Sequence, residues 1–335
     1  MKNTDKFIVI TSIFPPSEAV RKFASLPDWQ LIVVGDKKTP ENWELKDVIY
    51  LGPKQQTELG FETSQHLPWN HYCRKLIGYL YAMKLGAKLI ADSDDDNLPY
   101  EDWPRPPDEA SDFKILSGPK FTNIYKYFTD EFVWPRGLPL EYILEKESAK
   151  AVRAKQNVGV WQFLANGDPD VDAIYRLTNN KPITFKDSEP VILDKNTISP
   201  FNSQNTLFKK EFFPLLYLPA YVTFRFTDIL RGLVAQPLLW DQGHRLGFGG
   251  ATVFQERNPH NYLKDFESEI PVYLHSEKVV DISNRVLESN AGAPLTNNLV
   301  AVYAALKDEG IVTDQELILL RAWLQDVSNL IGISK

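Results

Sequence analysis

The sequence predicts an α/β fold, a mixed and mostly parallel sheet flanked by helices, with a helical appendage at the C-terminus. Short apolar runs closed by turn residues alternate with helical periodicity between residues 7 and 91. Strands separated by helices imply parallel pairing through right-handed crossovers. An acidic run then follows the fourth apolar run directly, at the carboxyl end of a strand, where open α/β sheets bind ligands.

Taken in order, residues 7–10 (Phe-Ile-Val-Ile) form a buried strand closed by Pro15 and Pro16. Ser17 is placed to cap a short helix reaching about Ser25. Residues 30–34 and 48–51 are the second and third strands. Cys73, Leu76, Ile77, Leu80 and Met83 recur at helical spacing over residues 70–85, and Gly86 stops that helix. Residues 88–91 are the fourth strand. Prolines at 99, 104, 106 and 107 mark a loop-rich stretch, after which residues 113–116, 158–162 and 206–208 read as strands. Residues 170–177 and 227–243 read as helices. Residues 1–281 are assigned to the main domain. Residues 282–335 form the appendage, built from amphipathic helices at 297–307 and 313–331 joined at Gly310.

Composition limits the function. Of 335 residues, 43% are hydrophobic, enough for a packed core. With 44 acidic against 37 basic residues, the net charge of -7 argues against a nucleic-acid partner, which calls for a basic face. The single cysteine, Cys73, excludes an intrachain disulfide and disfavours a cysteine zinc site. No apolar leader opens the sequence, and no run is long enough to span a bilayer. The expected location is cytoplasmic, with a peripheral role at a membrane left open.

The acidic run is Asp92-Ser93-Asp94-Asp95-Asp96. Hard divalent cations take carboxylate oxygens and keep open positions for phosphate oxygens. In an extended segment Asp92, Asp94 and Asp96 point one way and Asp95 the other. Carboxylates this close repel without a cation. A solvated acidic turn is the alternative. No Gly-x-x-x-x-Gly-Lys loop supports a P-loop enzyme.

Several motifs occur in the order found in a known group. Ile10-Thr11-Ser12, the stretch from Trp29 to Pro40, Leu59-Gly60-Phe61, the stretch from Arg74 to Ala82, the acidic run, and Thr227-Asp228-Ile229-Leu230-Arg231-Gly232 with Ala235-Gln236 resemble the STELLO family of glycosyltransferases. The resemblance covers residues 7–275 and leaves out the C-terminal helices. A more distant similarity, carried by the acidic run, Arg136-Gly137-Leu138-Pro139-Leu140, Gly159-Val160-Trp161 and Arg225-Phe226-Thr227-Asp228, is to the reversibly glycosylated polypeptides, the UDP-arabinopyranose mutases. Both resemblances imply a GT-A-like fold, a UDP-sugar donor and Mn2+ or Mg2+. A glycan or glycolipid acceptor is expected. A pyranose/furanose mutase and a catalytically silent scaffold of a glycosylation complex are the alternatives.

The candidate residues follow from strand ends and motifs. Thr11, Ser12 and Asp36 end the first two strands and are assigned to the nucleotide base, with ordinary turn chemistry as the alternative. Arg74, near a helix start, is assigned to the diphosphate or to Asp92, which is itself counted with the donor site. Asp94, Asp95 and Asp96 are the metal ligands, joined by His260 in a late loop. Arg136, between Pro135 and Gly137, is assigned to donor phosphate or sugar, with a structural arginine in a tight turn as the alternative, and the mutase resemblance gives it a catalytic role. Asp228, at a helix head, is assigned as the base for the acceptor hydroxyl, with an N-cap as the alternative. Arg225 and Arg231 flank it and are counted with the donor site.

Overall fold

The apolar runs near the N-terminus pair as a parallel sheet, with the first, second and fourth buried along nearly their whole length and the third half-buried at the sheet edge. In the computed structural model, which describes residues 2–104, 106–108, 111–145, 149–256 and 261–332, they are β1 (Lys6–Thr11), β2 (Gln30–Val34), β3 (Val48–Leu51) and β4 (Leu89–Ser93). Helix α1 (Glu18–Ser25) lies between β1 and β2, and Ser17 caps it by accepting from the Val20 N–H at 3.1 Å. Helices α2 (Pro53–Glu58), α3 (Glu62–His66) and α4 (Lys75–Lys84) fill the crossover from β3 to β4. A 3-10 turn at Tyr72–Arg74 leads into α4. β1 is parallel to both β2 and β4, and β2 is parallel to β3.

The second half adds β5 (Asn97–Pro99), β6 (Phe113–Ser117), β7 (Lys150–Ala154), β8 (Val158–Gly167), α5 (Ala173–Thr178), β9 (Val191–Leu193), β10 (Asn205–Lys209), α6 (Thr227–Asp241) and β11 (Arg245–Gln255). One sheet results, in the order β3-β2-β1-β4-β10-β8-β11-β9-β6-β7, with β5 paired to β11. β10 runs antiparallel to both β4 and β8, so the sheet is mixed beyond β4. β11 was not expected from the sequence. Gly247 and Gly249 interrupt its apolar pattern because a Cβ at either position would stand 2.4 or 2.5 Å from the rings of Trp161 and Phe163 on β8.

The chain ends in α7 (Tyr262–Ser289), α8 (Leu295–Asp308) and α9 (Asp314–Ile331). The expected division between residues 281 and 282 falls inside α7, a 28-residue helix. α8 and α9 form close to the expected positions but share the main core. Trp323 is fully buried and donates to the Pro214 carbonyl at 3.0 Å. Asp326 accepts from the Thr63 N–H and hydroxyl at 2.8 and 2.7 Å. Buried Glu316 accepts from the N–H groups of Ala220 and Tyr221. A single apolar cluster joins Val9 and Leu76 to Val302, Leu319 and Val327. Among the described residues no helix is long and apolar enough to cross a membrane.

Candidate functional site

The acidic run does not stay extended. β4 ends at Ser93 and the chain turns, with the Asn97 N–H donating back to the Asp94 carbonyl at 3.3 Å. The expected alternation therefore fails. Asp94, Asp95 and Asp96 all line one cleft of about 230 Å³, whereas Asp92 is fully buried beneath it.

Asp92 is held by two cations. The Lys75 Nζ donates to Asp92 Oδ1 at 2.7 Å, to Asp94 Oδ1 at 3.0 Å and to the Ser93 carbonyl at 2.8 Å. Arg231 Nη1 donates to Asp92 Oδ2 at 2.8 Å, and Nη2 donates to the Asn202 carbonyl at 2.7 Å. Asp92 and Arg231 were expected to touch the donor. Neither lines the cleft, and both are committed to supporting the turn that presents Asp94.

Arg74 was expected to reach Asp92 or a diphosphate. It does not pair with Asp92. Its Nε and Nη2 donate to Gln56 Oε1, its Nη1 donates to the Leu67 carbonyl, and its guanidinium stacks 3.8 Å from the Trp69 ring. Successive residues entering a helix point about 100° apart, so Lys75 faces β4 and Arg74 turns aside. Burial, countered by Asp36, lowers the Arg74 pKa to about 10.

On the opposite charge balance stands Arg136. Its Nε and Nη2 donate to Asp170 at 2.8 and 2.7 Å. Nη1 and Nη2 donate to Asp228 at 3.0 Å each, and Nη1 also donates to the Arg225 carbonyl. All five guanidinium N–H groups are thereby used. Gly137 permits this placement: its φ is 94°, and a Cβ there would stand 2.6 Å from Ile229. Arg136 borders the cleft, but it has no donor left for phosphate or sugar, contrary to its expected contact.

Asp228 lies in the first turn of α6, where Phe226 is the N-cap and no side chain caps, so the capping alternative does not apply. Ser203 donates to Asp228 Oδ2 from its N–H at 3.2 Å and its hydroxyl at 3.3 Å. Burial would raise the Asp228 pKa, but Arg136, with Arg231 and Arg225, holds it at about 2. A carboxylate that weakly basic is a poor proton acceptor for a sugar hydroxyl. Its engagement by Arg136 and Ser203 and its depressed pKa favour a structural anion over the expected base role. Arg225 lines the cleft while its Nε donates to buried Glu269 at 2.9 Å.

A second hollow of about 260 Å³ shares Thr11, Tyr72, Asp95 and Phe224 with the cleft. Thr11, Ser12, Asp36 and Arg74 line it, together with His71. Asp36 accepts from the N–H groups of Lys37 and His71 at 2.6 and 3.2 Å. The Ser12 hydroxyl donates to Asp95, tying the β1 end to the acidic turn. His71, Tyr72 and Phe224 pack ring to ring, with Tyr72 and Phe224 centroids 4.7 Å apart.

The fit to a divalent cation rests on Asp94 and Asp96. Lys75 occupies Oδ1 of Asp94, and Gln255 donates to Oδ2 of Asp96 at 3.1 Å. The other oxygen of each has no partner among the described residues. Burial raises the Asp94 pKa to about 7 despite Lys75, with Asp96 and Asp92 adding repulsion. A cation would relieve that crowding. Among the described residues no group of three or more His, Cys, Asp or Glu side chains is arranged to hold a metal ion. His260 lies outside the described residues.

Sequence reading gave no site role to Lys75, Asp170, Asn202, Ser203, Gln204 or Gln255. Asp170 and Lys75 stood next to motifs that were noticed. The polar run Asn202-Ser203-Gln204-Asn205 before β10 was the available signal for the rest, since polar residues leading into a buried strand need partners.

A family model described as STELLO glycosyltransferases matches residues 225–333. Over 347 aligned positions the chain is 30% identical to two Arabidopsis thaliana proteins, "Probable glycosyltransferase STELLO1" and "Probable glycosyltransferase STELLO2". The chain is thus similar to the STELLO proteins along nearly its whole length. The alignments cover 97% of this chain, and 44% and 45% of the STELLO1 and STELLO2 chains, so it spans less than half the length of these relatives. The match includes α8 and α9, which corrects the expectation that the STELLO resemblance stops before them. Among solved structures, the chain is similar to glucosyl-3-phosphoglycerate synthase from Mycobacterium tuberculosis in complex with Mn2+ and UDP-glucose, with a TM-score of 0.39 and 10% identity over 86% of this chain and 79% of that one. A second structure of the M. tuberculosis enzyme gives a TM-score of 0.34 and 9% identity over 86% of this chain and 81% of that one.

Proposed function

We propose that the chain transfers a sugar from a nucleotide-sugar donor, a UDP-sugar, to a glycan or lipid-linked acceptor with Mn2+ or Mg2+ bound at Asp94 and Asp96. The observation that carries this reading is the turned acidic run, which puts Asp94, Asp95 and Asp96 on one cleft, with Asp95 also lining the adjoining hollow, in a chain similar to the STELLO proteins. The hollow beside Asp36, His71 and Phe224 suits a planar base, with Asp36 accepting from its N–H. The cleft beside Asp94 and Asp96 suits the diphosphate and sugar. A divalent cation there would neutralise charge on the departing diphosphate.

The chain's own groups do the rest. Lys75 and Arg231 fix Asp92 so that the turn cannot shift. Arg136 locks Asp170 and Asp228, which hold Asn202 and Ser203 on the cleft wall. The acceptor oxygen bonds to the sugar anomeric carbon and gives its proton to water in the open cleft, the bond from that carbon to the diphosphate breaks, and UDP leaves with the electron pair. A mutase centred on a sugar carried by Arg136 finds no support in a guanidinium whose N–H groups are all engaged.

A thermal-shift screen of nucleotide sugars with and without Mn2+ tests the donor, and slow UDP release tests the reaction. Metal-dependent stabilisation by a UDP-sugar with UDP release is expected. Ring interconversion without UDP release would make the chain a mutase, and neither response would leave a scaffold.

A further inference from the structure

A third hollow, of about 310 Å³, shares Asp95 and Asp96 with the cleft. Phe14, Ser17, Glu18, Leu98, Phe254 and Glu256 line it. Two features set it apart from ordinary surface. The first is a pair of exposed rings: Phe14 is 50% and Phe254 42% exposed. Neither sits on a loose segment. Trp43 Nε1 donates to the Phe14 carbonyl at 3.0 Å, and the Phe14 N–H donates to the Ser12 hydroxyl at 3.2 Å. The Ser17 hydroxyl donates to the Asp95 carbonyl, fixing the other end of that loop. Phe254 stands on β11 between β5 and β8, in register with Leu98 and Asn166. Rigid backbone thus holds two phenyl rings toward water.

The second feature is charge. Glu18 in the first turn of α1 and Glu256 just past β11 join Asp95 and Asp96, and no Lys or Arg lines the hollow among the described residues. A carboxylate only accepts hydrogen bonds, so a ligand here must supply donors. With a cation over Asp94 and Asp96, the carboxylates of Glu18, Glu256 and Asp95 still leave the hollow acidic, so a ligand carrying phosphate or carboxylate would meet like charge. A sugar ring without charge meets both demands. Its C–H face lies on a phenyl ring, and its hydroxyls donate to carboxylates.

We infer that this hollow is the acceptor subsite and that it takes a neutral saccharide while excluding anionic ones. The inference rests on the transferase reading and names the substrate class of its second partner. The acceptor hydroxyl approaches the donor sugar past Asp95 and Asp96. Its oxygen forms the new bond to the anomeric carbon, its proton passes to water in the open cleft, and the donor's bond to UDP breaks.

Saturation-transfer NMR on the full chain, loaded with UDP and Mn2+, tests this. The probes are neutral disaccharides (cellobiose, maltose, lactose and chitobiose), set against glucuronic acid and glucose 6-phosphate. At least one neutral disaccharide should receive saturation from aromatic protons, and the anionic sugars should not. Phe254→Ala and Glu18→Gln should each weaken that binding by about tenfold, near 1.4 kcal/mol, with UDP affinity unchanged. Glu18 is exposed, so its variant keeps the fold even if Phe254→Ala does not. Absence of UDP binding in the wild-type chain counts against the transferase reading itself. With UDP bound, the subsite is overturned if no neutral disaccharide binds, if the anionic sugars bind equally well, or if Glu18→Gln binds as wild type does.

Discussion

Replacing Arg136 with methionine removes a cation that bridges Asp170 and Asp228 in near-complete burial. The side chains of Asp170 and Asp228 are 6% and 7% exposed. Removing one partner from a buried ion pair costs about 3–5 kcal/mol, because the remaining charge is left uncompensated. Asp228 alone accounts for a large part. Its pKa falls from the ordinary 3.8 to about 2, which is roughly 2 kcal/mol at about 1.4 kcal/mol per unit. The sign is fixed by the direction. A depressed carboxylate stabilises the fold above its unfolded pKa, and that stability is lost as pH falls toward the folded value. Urea denaturation at neutral pH should therefore show Arg136→Met destabilised by about 3–5 kcal/mol. Between about pH 4 and pH 2 the wild type should lose stability that the variant has already lost, so the two curves converge. Adding Asp170→Asn and Asp228→Asn to Arg136→Met should restore part of the deficit by removing the stranded charges. A single variant within about 1 kcal/mol of wild type at neutral pH, or curves that stay parallel into acid, would refute the reasoning.

Other outcomes follow from the same geometry. Asp228→Asn should retain UDP binding and lose turnover through disorder of Ser203 rather than loss of a base, so the pH profile of the residual activity should keep its shape; a vanished acid limb would restore the base assignment. Lys75→Met should strip Asp92 and Asp94 of their shared cation and destabilise the chain by about 3–5 kcal/mol in urea. Deleting residues 314–335 should abolish cooperative unfolding, because Trp323, Asp326 and Glu316 are bonded into the main core; a truncated chain melting as a folded domain would make α9 an appendage after all.

The part of the fold that was legible is the part with strong local signals. β1, β2, β3 and β4 each contain an uninterrupted apolar run, and Ser17 is a cap visible in the sequence. β11 hid because its glycines answer to rings on β8, a contact set by the sheet and not by neighbours in sequence. α7 hid behind Pro271 in its interior and buried Glu269, which break the apolar period. The site divides in the same way. The acidic run was visible as chemistry, but which of its carboxylates reaches the cleft depends on a turn that periodicity cannot see. Arg136 and Asp228 were both singled out. That they satisfy each other was hidden, because 92 positions separate them in sequence. Lys75 was passed over beside Arg74 because one helical step decides which of them meets Asp92.

The most direct test of the metal-bridged donor site is calorimetric titration of UDP into the wild-type chain and into Asp94→Ala, each with Mn2+ and with a chelator. UDP should bind the wild type with Mn2+ and weaken at least about tenfold, 1.4 kcal/mol or more, in chelator. Asp94→Ala should bind weakly in both conditions. UDP affinity that is the same in Asp94→Ala as in wild type, or the same with and without Mn2+, would contradict a donor held through a cation at the turned acidic run.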